Sequence, residues 1–356
     1  MKGLLLAGGH GTRLRPLTFT GNKHMIPIAN QPMLFYGLRH LAEGGIREVG
    51  VVLGPLHEGI EEAVGNGEAF GLDVTYIHQG DPKGLAHAVL CAAEFLGNEP
   101  FVMYLGDNLL QEGTRAFIRQ FQETDCDAVV GVTPVSNPSS YGIAEVKGDQ
   151  LVSVMEKPTV PRSNLALIGV YVFSPKIHAI IRKLRPSGRG ELEITDAIWK
   201  LHEKRHGVTV RHVKGWWKDT GHPDDLLEAN ELVLRSMPAR DFRNDGTVQP
   251  GAKVEGSIAI GPRTVVETGA QVTGPTVLGS DVRIGPGSRV GPFTSIGNRV
   301  VVNRSQIRRS IVMDHAVIEG VRLTDSLVGR NAELRAKHSF DEDVLLVLGD
   351  SSKVTW

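Results

Sequence analysis

Cysteine is scarce: Cys91 and Cys126 are the two in 356 residues, too few for a disulfide framework or a four-thiolate zinc site. An excess of charge of either sign is also missing, since 39 basic residues meet 40 acidic ones for a formal charge of −1. Without a bulk positive field there is no general attraction for nucleic acid polymers or a membrane surface. No apolar run approaches the length of a membrane-spanning helix, and no basic start leads into an apolar h-region, so the expected location is the cytoplasm. With 41% hydrophobic and 22% charged residues, the composition also excludes a disordered or acidic solvating segment. Glycine runs the other way. Its 42 residues stand well above the usual share of roughly 7%.

The length predicts two or three domains, and the glycines show where the chain divides. Eleven fall between Gly246 and Gly297. The aliphatics there keep a period of six: Val248, Val254, Ile260, Val266, Val272, Leu278, Ile284, Val290, Ile296 and Val302. Such a period means one short strand per repeat, an inward aliphatic and a turn at each corner, which is a β-helix. After a three-residue slip the period is expected to resume at Ile311, Val317 and Leu323. The solenoid is placed at 247–335, after a polar linker at 237–246 and before a tail at 336–356. Whether Val344–Leu348 caps the solenoid or returns to the first domain stays open.

Residues 1–236 alternate strands and helices. Strands are expected at Lys2–Ala7, Glu48–Leu53, Val74–His78, Phe101–Leu105, Ala128–Val132, Val152–Glu156, Ile168–Phe173 and Val208–Val213. Helices are expected at Pro32–Glu43, Leu85–Leu96, Leu192–Lys204 and Pro223–Arg235. The fold class is therefore α/β, a Rossmann-like mixed, mostly parallel sheet covered on both faces. Ligands of such sheets bind beyond the carboxyl ends of the strands.

The first strand ends in Leu-Ala-Gly-Gly-His-Gly-Thr-Arg-Leu, residues 6–14. Gly8, Gly9 and Gly11 allow backbone N–H groups to turn toward an anion, and Thr12 and Arg13 add a hydroxyl and a charged fork. Neither G-x-G-x-x-G nor a closing G-K-[ST] is present. A tight turn would explain two glycines; three with Thr-Arg favour a triphosphate cradle. Lys23, taken alone a solvated surface charge, could there neutralise a reacting phosphoryl group. Asp107 and Asn108 follow the fourth strand, and Asp219 follows Trp216-Trp217-Lys218. Two aspartates at strand ends suit Mg²⁺, which takes one or two carboxylates plus substrate phosphates; either could equally be a turn or cap. Arg189–Asp196 could be only an acid-rich helix start. His202-Glu-Lys-Arg-His206 matches H-E-x-x-H. It falls in a helix's charged last turn before Gly207, a C-cap position, with no third ligand evident, so zinc chemistry is set aside.

These residues resemble the sugar-1-phosphate nucleotidylyltransferases, and among them the long thymidylyl-transferring form with a C-terminal left-handed β-helix. The resemblance covers nearly the whole chain through Leu6–Pro16, Asn22-Lys23 with Pro27, Gln79 with Gly84-Leu85-Ala86, Leu105–Asn108, Glu156–Pro158, Arg189–Asp196 and Asp219–Gly221. It implies that Gly8, Gly9, Gly11, Thr12 and Arg13 hold the nucleoside triphosphate. Arg13 and Lys23 would act on the reacting phosphates, and Gln79 and Gly84 would recognise the pyrimidine edge. Asp107 and Asp219 would bind Mg²⁺. Asn108, Gly142, Glu156, Lys157 and the Leu167–Gly169 backbone would hold the sugar phosphate. His10, His24 and His87 depart from the family's pattern, which has a small polar residue and two glutamines there.

The implied reaction is thymidylyl transfer from dTTP to glucose 1-phosphate, giving dTDP-glucose and pyrophosphate. The sugar phosphate is already nucleophilic near neutral pH, so cations such as Arg13, Lys23 and Lys157 matter more than a general base. Uridylyl transfer or another sugar is the nearest rival, since a pocket discriminates one methyl by only ~1–3 kcal/mol. An acetyltransferase β-helix has His315 alone among the repeats to support it. A non-catalytic regulatory subunit would lack phosphate or metal ligands, and none is lacking. The β-helix is read as a module for homo-oligomer formation.

Overall fold

Lys2–Ala7 (β1) is a run of aliphatics with its last five residues buried, as a strand covered on both faces requires. Its neighbours in the computed structural model, which describes residues 1–337 and 342–356, build a nine-stranded sheet. The other strands are Glu48–Leu53 (β2), Asp73–His78 (β3), Phe101–Leu105 (β4), Ala128–Pro134 (β6), Gly142–Lys147 (β7), Gln150–Glu156 (β8), Leu165–Phe173 (β9) and Val208–His212 (β10). A separate short pair joins Asn108–Leu110 (β5) to Trp217–Asp219 (β11). The large sheet runs in the order β3-β2-β1-β4-β9-β6-β10-β8-β7. Strands β1 to β4 are mutually parallel. The mixed character enters with β9, antiparallel to both β4 and β6.

The chain leaves β1 for β2 and β3 on one side and returns to β4 on the other, so the switch of direction lies at the carboxyl ends of β1 and β4. Gly106 N donates to Leu6 O there at 2.9 Å. That crevice is where open α/β sheets bind ligands.

Helices Met33–Glu43 (α1), Leu85–Cys91 (α2), Arg115–Glu123 (α3), Lys176–Ile181 (α4), Ile194–Glu203 (α5) and Pro223–Ser236 (α6) complete the main elements. The helix expected over Leu85–Leu96 is broken at Ala92, whose φ and ψ of −88° and 2° start a second short turn. Helix α5 ends with Arg205 at φ 60°, so the left-handed position falls on Arg205 and not on Gly207. His206 of the H-E-x-x-H match turns to Asp127, with Nδ1 2.9 Å from Oδ2. Among the described residues no group of three or more His, Cys, Asp or Glu is placed to hold a metal. Nor is any helix long and apolar enough to cross a membrane.

From Thr247 onward short parallel strands stack into three sheets of seven, five and six strands, a left-handed β-helix. One inward stack runs Val266, Ile284, Val302, Ile318, Leu334, all fully buried. The six-residue period holds as far as Val302, with Val254 half-exposed at the open first coil. Beyond it the coil shortens: Val266 pairs with Ile284 and Ile284 with Val302, an even spacing, but Val302 pairs with Ile318, sooner than that spacing would place its partner. The core residues are therefore Ile307, Val312, Ile318 and Leu323, and the expected resumption at Ile311 and Val317 is one residue early. Non-glycine residues take the left-handed corner positions, among them Arg263, Asp281, Arg299, His315 and Asn331. His315 is thus an exposed corner residue.

Stacking does not stop at 335. Val347–Leu348 pairs with Leu327–Val328, and Lys353–Thr355 pairs with Glu333–Arg335. Most of the expected tail is solenoid; its residues 338–341 lie outside the described residues. The expected linker at 237–246 is bonded to the first coil, with Ile260 N donating to Arg243 O at 2.7 Å.

By packing, the chain divides into two units that do not follow the sequence boundary at 236. One comprises Met1–His10 and Leu34–Asp219; the other comprises Gly11–Met33 and Thr220–Trp356.

Candidate active site

In the first unit the glycine loop leaves β1 at the switch point. Gly8 lies against Gln79 at the end of β3: a Cβ on Gly8 would sit 3.1 Å from Gln79 Oε1. Gln79 is buried, and its Nε2 is 3.2 Å from Gly84 O and 3.1 Å from His87 Nδ1. Gly84 has φ 98°, and a Cβ there would come within 2.5 Å of Leu192 O. Only glycine suits that conformation and that approach. Leu192 N donates to Lys83 O, and Ala86 N to Leu192 O, which stitches this loop to the start of α5.

Asp107 follows β4, and the β5–β11 pairing places Asp219 opposite Asn108, one residue from Asp107. Asp107 just before β5 and Asp219 at the end of β11 are hard-oxygen donors of the kind that Mg²⁺ takes. Asn108 is buried and committed to the framework. Its Oδ1 accepts from Gly169 N (3.1 Å) and Trp217 Nε1 (2.7 Å), while Nδ2 donates to Asp107 Oδ1 (3.0 Å). Gly169 sits where β9 bulges out of its ladder with β6, between Leu167 and Tyr171. A Cβ on Gly169 would be 2.7 Å from the Asn108 side chain, so the bulge and the missing side chain together admit the amide.

Glu156 ends β8 and Lys157 follows it. Lys157 has φ 43°, a left-handed conformation uncommon outside glycine, of the kind that clusters at functional sites. Its Nζ is 3.9 Å from Glu156 Oε1. Glu156 Oε2 accepts from Thr195 Oγ1 at 3.3 Å, and a Cβ on Gly142 would lie 3.1 Å from the same oxygen. Burial and the neighbouring Glu193 carboxylate push the Glu156 pKa up, against Lys157 and Arg189. Arg189 gathers the acids of its own motif, reaching Glu191 at 2.8 Å, Glu193 at 3.1 Å and Glu156 at 3.8 Å. Leu167 is buried beside Gly169 in β9. Gly142, Glu156, Lys157 and Thr195 thus form one cluster, and Asp107, Asn108, Gly169 and Asp219 another.

Gly11, Thr12, Arg13 and Lys23 belong to the second unit. Gly11 is left-handed at the start of the short helical turn Thr12–Leu14. Its carbonyl accepts from Thr18 Oγ1 at 2.7 Å, and a Cβ on it would lie 3.3 Å from Lys23 Cβ. Arg13 lies against Gly221, with Nη1 3.2 Å from His222 Nε2. His24 is buried and bonded to Asn22 Oδ1 through its backbone N (2.8 Å) and its Nδ1 (2.7 Å), which makes it a structural residue. His10 is exposed. The sequence motifs included Arg189, Thr195 and Trp217 without giving them a part, and His222 was passed over. Thr195, Trp217 and His222 meet partners far away along the chain, whereas the Arg-Gly-Glu-x-Glu spacing could have pointed to Arg189, whose partners Glu191 and Glu193 lie two and four residues on.

A glycine turn at a sheet switch point with aspartates at its strand ends is the build of an α/β phosphate-handling domain, here in a chain that also carries a β-helix. The nucleotidyl transferase family model matches residues 2–236, and the chain belongs to that family. It is 43% identical to a glucose-1-phosphate thymidylyltransferase of Streptomyces antibioticus over 357 residues, 99% of both chains. It is 44% identical to the low-salt glycan biosynthesis nucleotidyltransferase Agl11 of Haloferax volcanii, again over 99% of both. A solved structure from Bacillus anthracis, assigned as a glucose-1-phosphate thymidylyltransferase with bound sucrose, matches with TM-score 0.63 and 35% identity. That match covers 67% of this chain and 96% of the other. The thymidylyltransferases of this family use a divalent metal ion.

Proposed function

We propose that the protein transfers a thymidylyl group from dTTP to glucose 1-phosphate, giving dTDP-glucose and pyrophosphate, with Mg²⁺ as its metal. The observation that supports this reading is the pairing of β5 with β11, which sets Asp219 opposite Asn108, the residue after Asp107. Asp107 and Asp219 would hold Mg²⁺; when bound, it offsets triphosphate charge. Asn108 aligns Asp107 through the Nδ2 bond and ties it to β9 and β11.

A phosphomonoester with second pKa near ~6 is largely dianionic at neutral pH, so its oxygen attacks the α-phosphorus without a general base. The new P–O bond forms as the α–β bond breaks, and the electron pair leaves on pyrophosphate. Gly8, Gly9 and Gly11 offer N–H groups to the triphosphate with Thr12, while Arg13 and Lys23 stabilise the reacting phosphates. Lys157 meets the sugar phosphate; Glu156, Gly142 and the Leu167–Gly169 backbone bound the sugar. Gln79 and Gly84 read the base. The full-length similarity to a thymidylyltransferase supports the choice of substrates. The equally similar Haloferax protein makes them the point to test.

The test is pyrophosphate release with Mg²⁺, pairing glucose 1-phosphate or glucosamine 1-phosphate with dTTP, UTP, ATP or GTP. Fastest release with dTTP and glucose 1-phosphate is expected. Preference for UTP with the amino sugar would move the assignment to another sugar nucleotide. No release from folded protein would replace it with a regulatory role.

A further inference from the structure

We propose that His87 is a positioning residue that sets base selectivity: its Nδ1 lone pair locks the Gln79 amide with Oε1 toward the glycine loop, favouring bases that present an imide N–H. The proposal rests on the reading that Gln79 meets the base. It adds what fixes the sense of that side chain.

The orientation follows from chemistry. A backbone carbonyl can only accept, so the Gln79 atom 3.2 Å from Gly84 O must be the nitrogen. That nitrogen is also 3.1 Å from His87 Nδ1, which must then accept too. The imidazole proton is thereby assigned to Nε2, where Cys91 Sγ lies 3.7 Å away. Burial, with Lys83 nearby, lowers the His87 pKa and keeps the ring neutral. With Nε2 held twice, Oε1 is left facing Gly8. Among the described residues no donor engages Oε1, although Gln79 is only 8% exposed. The oxygen is not among the fully buried side-chain atoms left without a partner, so it stays open to a donor from a ligand. Thymine and uracil supply one at N3–H; cytosine presents a lone pair at N3 and is rejected. A glutamine at position 87 would also accept through its side-chain oxygen, which makes His87→Gln the conservative variant.

The test compares kcat/KM for dTTP and dCTP, which share a sugar, in wild type, His87→Leu, His87→Gln and Gln79→Leu. His87→Leu is expected to cut the dTTP/dCTP ratio by about ten-fold, mainly through the KM for dTTP, as the loss of one aligned hydrogen bond would. His87→Gln is expected to restore most of it, which a purely packing role would not produce. If His87→Leu does not fold, His87→Phe offers a planar ring without an acceptor for the same comparison. An unchanged ratio in the His87 variants, with the ratio lost in Gln79→Leu, would overturn the proposal and leave the base-reading role of Gln79 intact. A ratio unchanged in Gln79→Leu would remove that role and the proposal with it.

Discussion

Arg13 and Arg189 show two uses of one side chain. Arg13 is exposed on a short turn, with His222 Nε2 near one end of its fork. It anchors no core, so Arg13→Ala is expected to change stability by less than about 0.5 kcal/mol, as surface substitutions do. Turnover should fall by about 10²–10³, the usual cost of one donor aimed at developing charge. Rates near wild type in a folded variant would remove Arg13 from the chemistry. Arg189 instead lies among Glu156, Glu191 and Glu193. It opposes the burial and the Glu193 charge that raise the Glu156 pKa. Arg189→Met should therefore move the Glu156 titration upward, so that sugar-phosphate binding fails at a higher pH on acidification. A pH profile of KM with an unmoved acid limb would contradict that link. The glycine loop and the two aspartates stood out in the sequence by residue type, and Glu156-Lys157 through the family resemblance. Asn108 as a brace was not legible, since it depends on Gly169 and Trp217 from distant strands, and neither was the reach of Arg189 beyond its own motif to Glu156.

Elements were legible where periodicity was strong. Strand β1 is as expected, and the β-helix declared itself through glycines and aliphatics. What misled was length: the shortened coils beyond Val302 keep inward stacking while breaking the period of six. Strands β5 and β7 and helices α3 and α4 escaped notice, being short or carrying charge on their exposed faces. One tie between elements can be tested apart from activity. Asp127, just before β6, accepts from Ser174 Oγ at 2.8 Å and Lys176 Nζ at 2.9 Å and meets His206. Burial alone would raise its pKa, but the bonds from Lys176, Ser174 and His206 hold it below the usual carboxylate value. A depressed carboxylate pKa gives stability that is present above the unfolded value of roughly 3.9 and lost as pH falls through the folded value. Asp127→Asn should thus cost about 1–3 kcal/mol near pH 7 and markedly less at an acid pH below the folded value, where wild type loses the same charge. Denaturant melts at both pH values check this; an equal loss at both would make the effect one of packing.

At the scale of the second unit, the cationic segment and the solenoid are one packed body. Thr20 Oγ1 donates to Asp350 Oδ2 at 2.8 Å, and Arg330 N holds the other oxygen at 2.7 Å. Asn30 Nδ2 donates to Ile296 O at 2.6 Å. Asn230 of α6 accepts from Ala29 N and Ser295 Oγ at 2.8 and 2.6 Å. The solenoid thus buttresses the segment carrying Arg13 and Lys23, a link illegible in sequence because Thr20 and Asp350 lie 330 residues apart. Thr20→Val is expected to lower turnover by about two- to five-fold, within the worth of one exposed hydrogen bond, with Thr20→Ser close to wild type. Combining it with Asp350→Ala should add little beyond the worse single change; additive losses would show that the two do not act together. The most direct measurement for the whole account is stereochemical: dTTP with a chiral α-thiophosphate is turned over with glucose 1-phosphate, and the configuration of the dTDP-glucose product is read by phosphorus NMR. One in-line attack by the sugar phosphate requires inversion at the α-phosphorus. Retention would mean a covalent enzyme intermediate and a nucleophile that this site does not supply.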